Sequence, residues 1–171
     1  MATSSSVFVG IDISMKSLEV AFFGDEKVLS FVNTSKGISP LIDLLREKLP
    51  VLVVVEATGG YEKVLVQALH KESIPVSIIL PKRIRDFARA QGILAKTDKL
   101  DAKNIAHFAS SLQPHPNAPV SAEQVRLSAL IDRRRQIVLM LKAERTRLHK
   151  APPEIRPCID EHIEWLIDEE K

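Results

Sequence analysis

The chain has 171 residues, with 24 Lys or Arg against 22 Asp or Glu and a net charge of +2, which is one ordinary domain or a domain with an extension. An apolar fraction of 45% is enough to bury a core and argues against general disorder, and no apolar run approaches the roughly 18 residues of a membrane span. Met1 to Ser6 is small and polar, unlike a signal peptide, and the single Cys158 excludes an internal disulfide, so a soluble cytoplasmic protein is expected.

Val7 to Ile13 is a short, largely apolar run interrupted by Asp12. Leu18 to Phe23 follows, then a Gly24-Asp25 turn and Val28 to Val32, so the first thirty residues read as a three-stranded meander. Ser39-Pro40 reads as the opening of a helix with Leu41, Ile42, Leu44 and Leu45 on its apolar side, stopped by Pro50. Val51 to Val55 is unbroken apolar sequence, the pattern of a strand buried on both faces. After Gly59-Gly60, residues 61–71 read as a helix with Val64, Leu65, Ala68 and Leu69 inward. Val76 to Leu80 is a further strand, and helices are expected over 83–90 and 99–112. A meander whose sheet continues through helical crossovers to parallel strands is an α/β, ribonuclease-H-like arrangement, a mixed sheet flanked by helices.

Pro114, Pro116 and Pro119 mark a linker, so the expected division is a domain over 1–113, a linker over 114–120 and a helical segment over 121–171. The segment opens at Ser121 and runs as one helix to about Lys150. Its heptad seam carries Leu127, Leu130, Arg134, Ile137, Leu141, Glu144 and Leu148, the pattern of a coiled coil or a helical hairpin. A shorter acidic helix over 159–169 is placed to fold back on it.

Four carboxylates stand out. Asp12 lies within an apolar strand, and Glu56 ends the valine-rich one. Asp98 and Asp101 share a face at the start of a helix. In a ribonuclease-H-like sheet the first strand neighbours the first crossover strand, which makes Asp12 and Glu56 neighbours. Such carboxylates repel unless a cation joins them, and an all-oxygen donor set selects Mg²⁺ or Mn²⁺. That constellation is suited to two-metal phosphodiester chemistry. Each residue also has a plainer role: Asp12 as a turn cap, Glu56 as a solvated strand end, Asp98 as a helix cap.

The net charge hides a segregation. Residues 81–111 carry seven basic and three acidic side chains and residues 126–150 eight and two, while 151–171 reverses to two and seven. Two basic blocks suit a polyanion. Lys82, Arg83, Arg85, Arg89 and Lys96 in the first block, and Arg133, Arg134 and Arg135 in the second, are the candidate phosphate contacts. Gly59-Gly60 could cradle a phosphate but suits a plain turn equally. Tyr61 and Trp165 read as packing residues before base-stacking ones, and the five histidines show no ligand spacing.

The stretches Val9-Gly10-Ile11-Asp12-Ile13-Ser14, Glu56-Ala57-Thr58-Gly59-Gly60-Tyr61-Glu62 and Lys96-Thr97-Asp98-Lys99-Leu100-Asp101-Ala102 closely resemble the N-terminal domain of DEDD-motif insertion-sequence transposases, the IS-one-ten group that includes pilin-gene invertases. The resemblance implies a RuvC-like variant of the ribonuclease H fold. It implies that Asp12, Glu56, Asp98 and Asp101 are catalytic ligands of Mg²⁺ or Mn²⁺, and that recombination of DNA is guided by a structured RNA. The long helix resembles the family's coiled-coil segment, which implies a homo-oligomer joined through 121–150. Family members carry a second, C-terminal domain with a catalytic serine, so the chain resembles the N-terminal portion of a longer protein, and no serine is assigned as nucleophile. The alternative reading is a non-catalytic nucleic-acid-binding and dimerisation module. An ATPase of the actin and sugar-kinase fold ranks last, because its second phosphate loop is not evident.

Overall fold

A computed structural model describes residues 6–92 and 98–171, the side chains at 98–100 and 122 excepted. The chain divides into two compact units, Met1–Pro119 and Val120–Lys171.

In the first unit, strands β1 (Phe8–Ile13), β2 (Ser17–Phe22), β3 (Val28–Val32), β4 (Leu52–Glu56) and β5 (Val76–Ile79) form one mixed sheet in the order β3-β2-β1-β4-β5. The meander pairs antiparallel, whereas β4 and β5 join β1 in parallel through helical crossovers. The crossovers are α1 (Ser35–Lys48) and α2 (Lys63–Lys71); α3 (Pro81–Ala90) and α4 (Asp98–Leu112) follow β5. The fold is therefore α/β.

The period-2 alternation of the strands sorts their side chains to two cores. Val9, Ile11 and Ile13 of β1 and Val53 and Val55 of β4 pack with Leu41 and Leu45 of α1 and Leu65 and Leu69 of α2. Phe8, Leu52 and Val54 face the other way, against Ile84 of α3 and Ile105, Phe108 and Ala109 of α4. Because β1 and β4 are covered on both faces, they read as near-continuous apolar sequence.

Two helices depart from the sequence expectation. Helix α1 starts at Ser35, capped by Thr34, whose Oγ1 accepts from the Gly37 N–H at 3.2 Å. Pro40 lies inside the helix and does not open it, since the Thr34 cap and the buried Ile38 supply an earlier start. In α2, Val66 is buried and Val64 half exposed, so the inward face is rotated by one position.

The proline-rich segment is not a free spacer over its first part. Asn117 donates its N–H to the Val76 carbonyl at 2.8 Å and accepts the Ile78 N–H on Oδ1 at 2.6 Å. Ser77 Oγ–H donates to the Pro114 and His115 carbonyls, and His70 Nε2 lies 3.1 Å from the Asn117 carbonyl. Residues 114–117 thus satisfy outward-facing groups of β5 that would otherwise be an open sheet edge.

The second unit is a hairpin of α5 (Ala122–Lys150) and α6 (Arg156–Glu170). Ser121 and Gln124 cap α5 reciprocally, as a capping box does. Ile137, Leu141, Ile163 and Leu166 are its core, flanked by Leu148, Ile159 and Ile167. Leu127 and Leu130, on the same seam about three and two turns before Ile137, are 57% and 60% exposed.

Candidate functional site

The β1–β4 ladder pairs Phe8 with Leu52, Val9 with Val53, Gly10 with Val54 and Ile11 with Val55. Carried one step further, that register sets Asp12 beside Glu56 at the C-terminal ends of two strands about 4.8 Å apart. Both residues belong to the sheet face that carries Phe8, Gly10, Leu52 and Val54, the face covered by α4. Asp12 also lies opposite Glu19 of β2, so a row of three carboxylates crosses the sheet. Glu19 went unremarked in the sequence because its place is set by the hairpin register. Its Oε1 accepts from Ser30 Oγ–H at 2.7 Å, a hydrogen bond toward β3.

Gly10 determines how α4 lies on this face. A Cβ at that position would sit 2.1 Å from the Ala106 nitrogen, 2.5 Å from the Ala102 oxygen and 2.7 Å from the Ile105 carbonyl carbon. Helix backbone therefore rests directly on strand backbone, with Ala102, Ala106 and Ala21 fully buried around the contact. Phe108 and Ala109 pack with Phe8 at the start of β1, while Ala102 to Ala106 lie over Gly10. The helix thus runs antiparallel to β1, and its first turn, residues 98–101, extends toward the Asp12 end. Asp101 is partly buried there; Asp98 begins the helix, and its side chain is outside the described set. Among the described residues no group of three or more His, Cys, Asp or Glu is gathered tightly enough to hold an ion.

The loop after Glu56 is ordered by its own acid. One Glu62 carboxylate oxygen accepts the Thr58 N–H at 3.2 Å, the Thr58 hydroxyl at 3.1 Å and the Gly60 N–H at 2.9 Å. Partial burial works to raise the Glu62 carboxyl, but these donors and the residue's own N–H outweigh it and hold it below the usual carboxylate value. Gly59 and Gly60 have φ of 74° and 120°, and the concavity they form, read in the sequence as a phosphate cradle or a turn, receives the Glu62 carboxylate. Nearby, Asn33 Nδ2 donates to the Ser14 carbonyl at 2.8 Å and the Tyr61 carbonyl at 3.3 Å.

The basic candidates have different surroundings. Lys82, Arg83, Arg85 and Arg89 are exposed on α3; the Arg83 guanidinium lies 5.7 Å from the Phe108 ring centroid, and Arg89 is 3.9 Å from Asp86. Lys96 lies outside the described residues. On α5, Arg133 and Arg135 are exposed, Arg135 being 3.5 Å from Asp132, whereas Arg134 bridges to Glu170 of α6 at 2.5 Å. Tyr61 and Trp165 are each half exposed, and Trp165 stacks on His162 at 5.9 Å. Among the described residues no helix is long and apolar enough to cross a membrane.

A transposase family of the DEDD, IS110 type matches residues 9–157. The pilin gene-inverting proteins of Moraxella bovis and Moraxella lacunata are each 27% identical over 170 residues, covering 96% of this chain. The chain spans 53% of the length of each. The match runs from β1 into the hairpin and includes all four singled-out carboxylates; the chain belongs to the DEDD transposase family.

Proposed function

We propose that this chain is the metal-binding catalytic portion of a DNA transposase, acting in divalent-metal-dependent strand cleavage and transfer. The observation that carries the reading is the parallel β1–β4 register, which brings Asp12 and Glu56 to adjacent strand ends on the face covered by α4. The strand order β3-β2-β1-β4-β5, an antiparallel meander extended by parallel strands, supports a RuvC-like ribonuclease H fold.

The donor chemistry fits Mg²⁺ or Mn²⁺: carboxylate oxygens from two neighbouring strands, with Asp98 and Asp101 supplied by the first turn of α4. When bound, such ions activate the attacking oxygen and stabilise the leaving one. The chain's own part is to hold the carboxylates on rigid strands and to bring phosphates to them. Exposed Lys82, Arg83, Arg85 and Arg89, with Lys96, are the phosphate contacts of the first unit, and Arg133 and Arg135 those of the second. Arg134 is assigned instead to the hairpin, because Glu170 holds it. DNA is the substrate, consistent with the inversion named for the Moraxella relatives. A structured guide RNA, a homo-oligomer through 121–150 and a cytoplasmic location complete the reading.

The test is calorimetric titration of MnCl₂ into the chain and its Asp12→Asn variant. The reading expects saturable binding that the substitution weakens on the order of tenfold or more, with a melting temperature unchanged or raised as carboxylate repulsion is relieved. Equal affinity in the two proteins would refute it.

A further inference from the structure

We infer that Glu62 and Asn33 are positioning residues that brace the two loops leaving the carboxylate-bearing strands, and so set the spacing of Asp12 and Glu56; the inference rests on the metal-site reading above. Neither residue is among the four proposed ligands.

The chain after Glu56 has an intrinsic weakness. Ala57 is fixed, its N–H donating to the Ile79 carbonyl at 2.9 Å, but Gly59 and Gly60 follow with left-handed backbones that no side chain restrains. Two successive glycines leave the loop beyond Ala57 loose unless something ties them. The Glu62 carboxylate is that tie. Its three donors belong to residues two and four positions beyond Glu56, so the loop is closed into a ring at the point where β4 ends.

Asn33 extends the tie to the neighbouring strand. Its backbone N–H donates to the Lys16 carbonyl at 2.9 Å, which anchors it at the end of the meander. Its side-chain amide then joins Ser14, two residues beyond Asp12, to Tyr61, next to Glu62. One amide group therefore bridges the loop that leaves β1 and the loop that leaves β4. The β1–β4 ladder itself ends at Ile11 and Val55. Asp12 is still paired with Glu19 of β2 and Glu56 with Ile79 of β5, but between β1 and β4 the two loops continue where the ladder stops, and their order bears on how far apart the two carboxylates stand. Partners of this kind, which orient ligands without touching the ion, typically change metal affinity by ten- to a hundredfold.

The experiment titrates MnCl₂ by calorimetry into the full chain as wild type, Asp12→Asn, Glu62→Ala, Glu62→Gln and Asn33→Ala. Melting temperatures and hydrogen exchange of the Thr58 and Gly60 amides are recorded for each protein without metal. A brace predicts Mn²⁺ affinity lowered on the order of tenfold in Glu62→Ala and Asn33→Ala. The Gly60 amide should exchange faster in Glu62→Ala, and Glu62→Gln, which keeps an acceptor oxygen, should recover most of the affinity. If Glu62→Ala cannot be obtained folded, Asn33→Ala carries the test alone. Wild-type affinity in Glu62→Ala and Asn33→Ala, with Asp12→Asn impaired, overturns the brace and leaves the site standing. Equal loss in Glu62→Gln and Glu62→Ala also overturns it, because the carboxylate charge rather than its hydrogen bonds would then matter. Wild type that binds no Mn²⁺ overturns the metal site and the brace together, while unaltered Gly60 exchange in Glu62→Ala removes the brace on its own.

Discussion

Gly10→Ala adds one methyl group to the middle of β1, and the structure leaves it no room. The new carbon would lie 2.1 Å from a backbone nitrogen of α4. Ordinary contact begins at 3.4 Å, so the helix must recede by about 1.3 Å. Neither neighbour can give way cheaply: the three closest atoms are all helix backbone, and β1 is held by β2 on one side and β4 on the other. A surplus methylene in a packed core costs about 1–3 kcal/mol when side chains can adjust. Here a whole helix must move, uncovering Ala102, Ala106 and Ile105, all of them buried. A loss of about 3 kcal/mol or more is expected, a large part of a domain's ordinary stability.

Gly24→Ala is the matched control. Its φ of 86° is left-handed, but nothing lies within 4 Å of a Cβ there, so only backbone strain of about 1–2 kcal/mol applies. The assay is hydrogen exchange by mass spectrometry under mild urea, following peptides from β1 and α4. This is preferable to fluorescence, since the only tryptophan, Trp165, reports on the hairpin. Gly10→Ala should raise exchange in both peptides far more than Gly24→Ala does, and should weaken Mn²⁺ binding as α4 shifts away from Asp12. A Gly10→Ala protein within about 0.5 kcal/mol of wild type, the range of a neutral surface substitution, would refute the close packing of α4 on β1.

Three other perturbations probe independent features. Asn117→Ala removes the acceptor of the Ile78 N–H and should cost about 1 kcal/mol with faster exchange of that amide, whereas Asn117→Asp, which keeps the oxygen, should stay near wild type at neutral pH; equal loss in both variants would refute the assignment. The folded state holds the Glu62 carboxyl below its ordinary value of 4.5, so it stabilises the chain above that pH and loses this contribution as pH falls through the folded value. Urea midpoints from about pH 6 down to about pH 3 should therefore fall more steeply for wild type than for Glu62→Gln, and parallel curves would count against the three-donor arrangement. Leu127→Ser with Leu130→Ser should abolish self-association in sedimentation at tens of micromolar without altering the hairpin, because α6 does not cover these two positions; a wild-type chain already monomeric there would show that the exposed seam is not an interface.

Legibility followed the range of the interactions. The meander, the two parallel strands and the long helix could be read locally, since alternation, valine runs and a Ser–Gln cap are written within a few residues of where they act. The start of α1 was missed because Pro40 looks like a helix opening, while the stronger signals, a Thr34 cap and a buried Ile38, lie before it. The proline-rich segment read as a spacer because nothing near Asn117 announces that it will occupy the edge of β5, some forty residues earlier.

The site divides along the same line. Asp12, Glu56, Asp98 and Asp101 could be singled out because a charge in an apolar strand, at a strand end, or paired on one helical turn is a local anomaly. What surrounds them was not legible, since it depends on register. Glu19 becomes a neighbour of Asp12 only once the hairpin pairing is known, and the Arg134–Glu170 ion pair only once α6 returns to α5. Gly10 lay between the two kinds. A glycine inside a strand signals close backbone approach, but only the structure says that the approaching backbone is α4. That contact has a functional consequence. Two carboxylates ride on the sheet and two on the first turn of a helix, so their separation depends on how closely helix and sheet can meet. A larger residue at position 10 would move one pair away from the other without touching either, so the proposed metal site would depend on this glycine as well as on the acids.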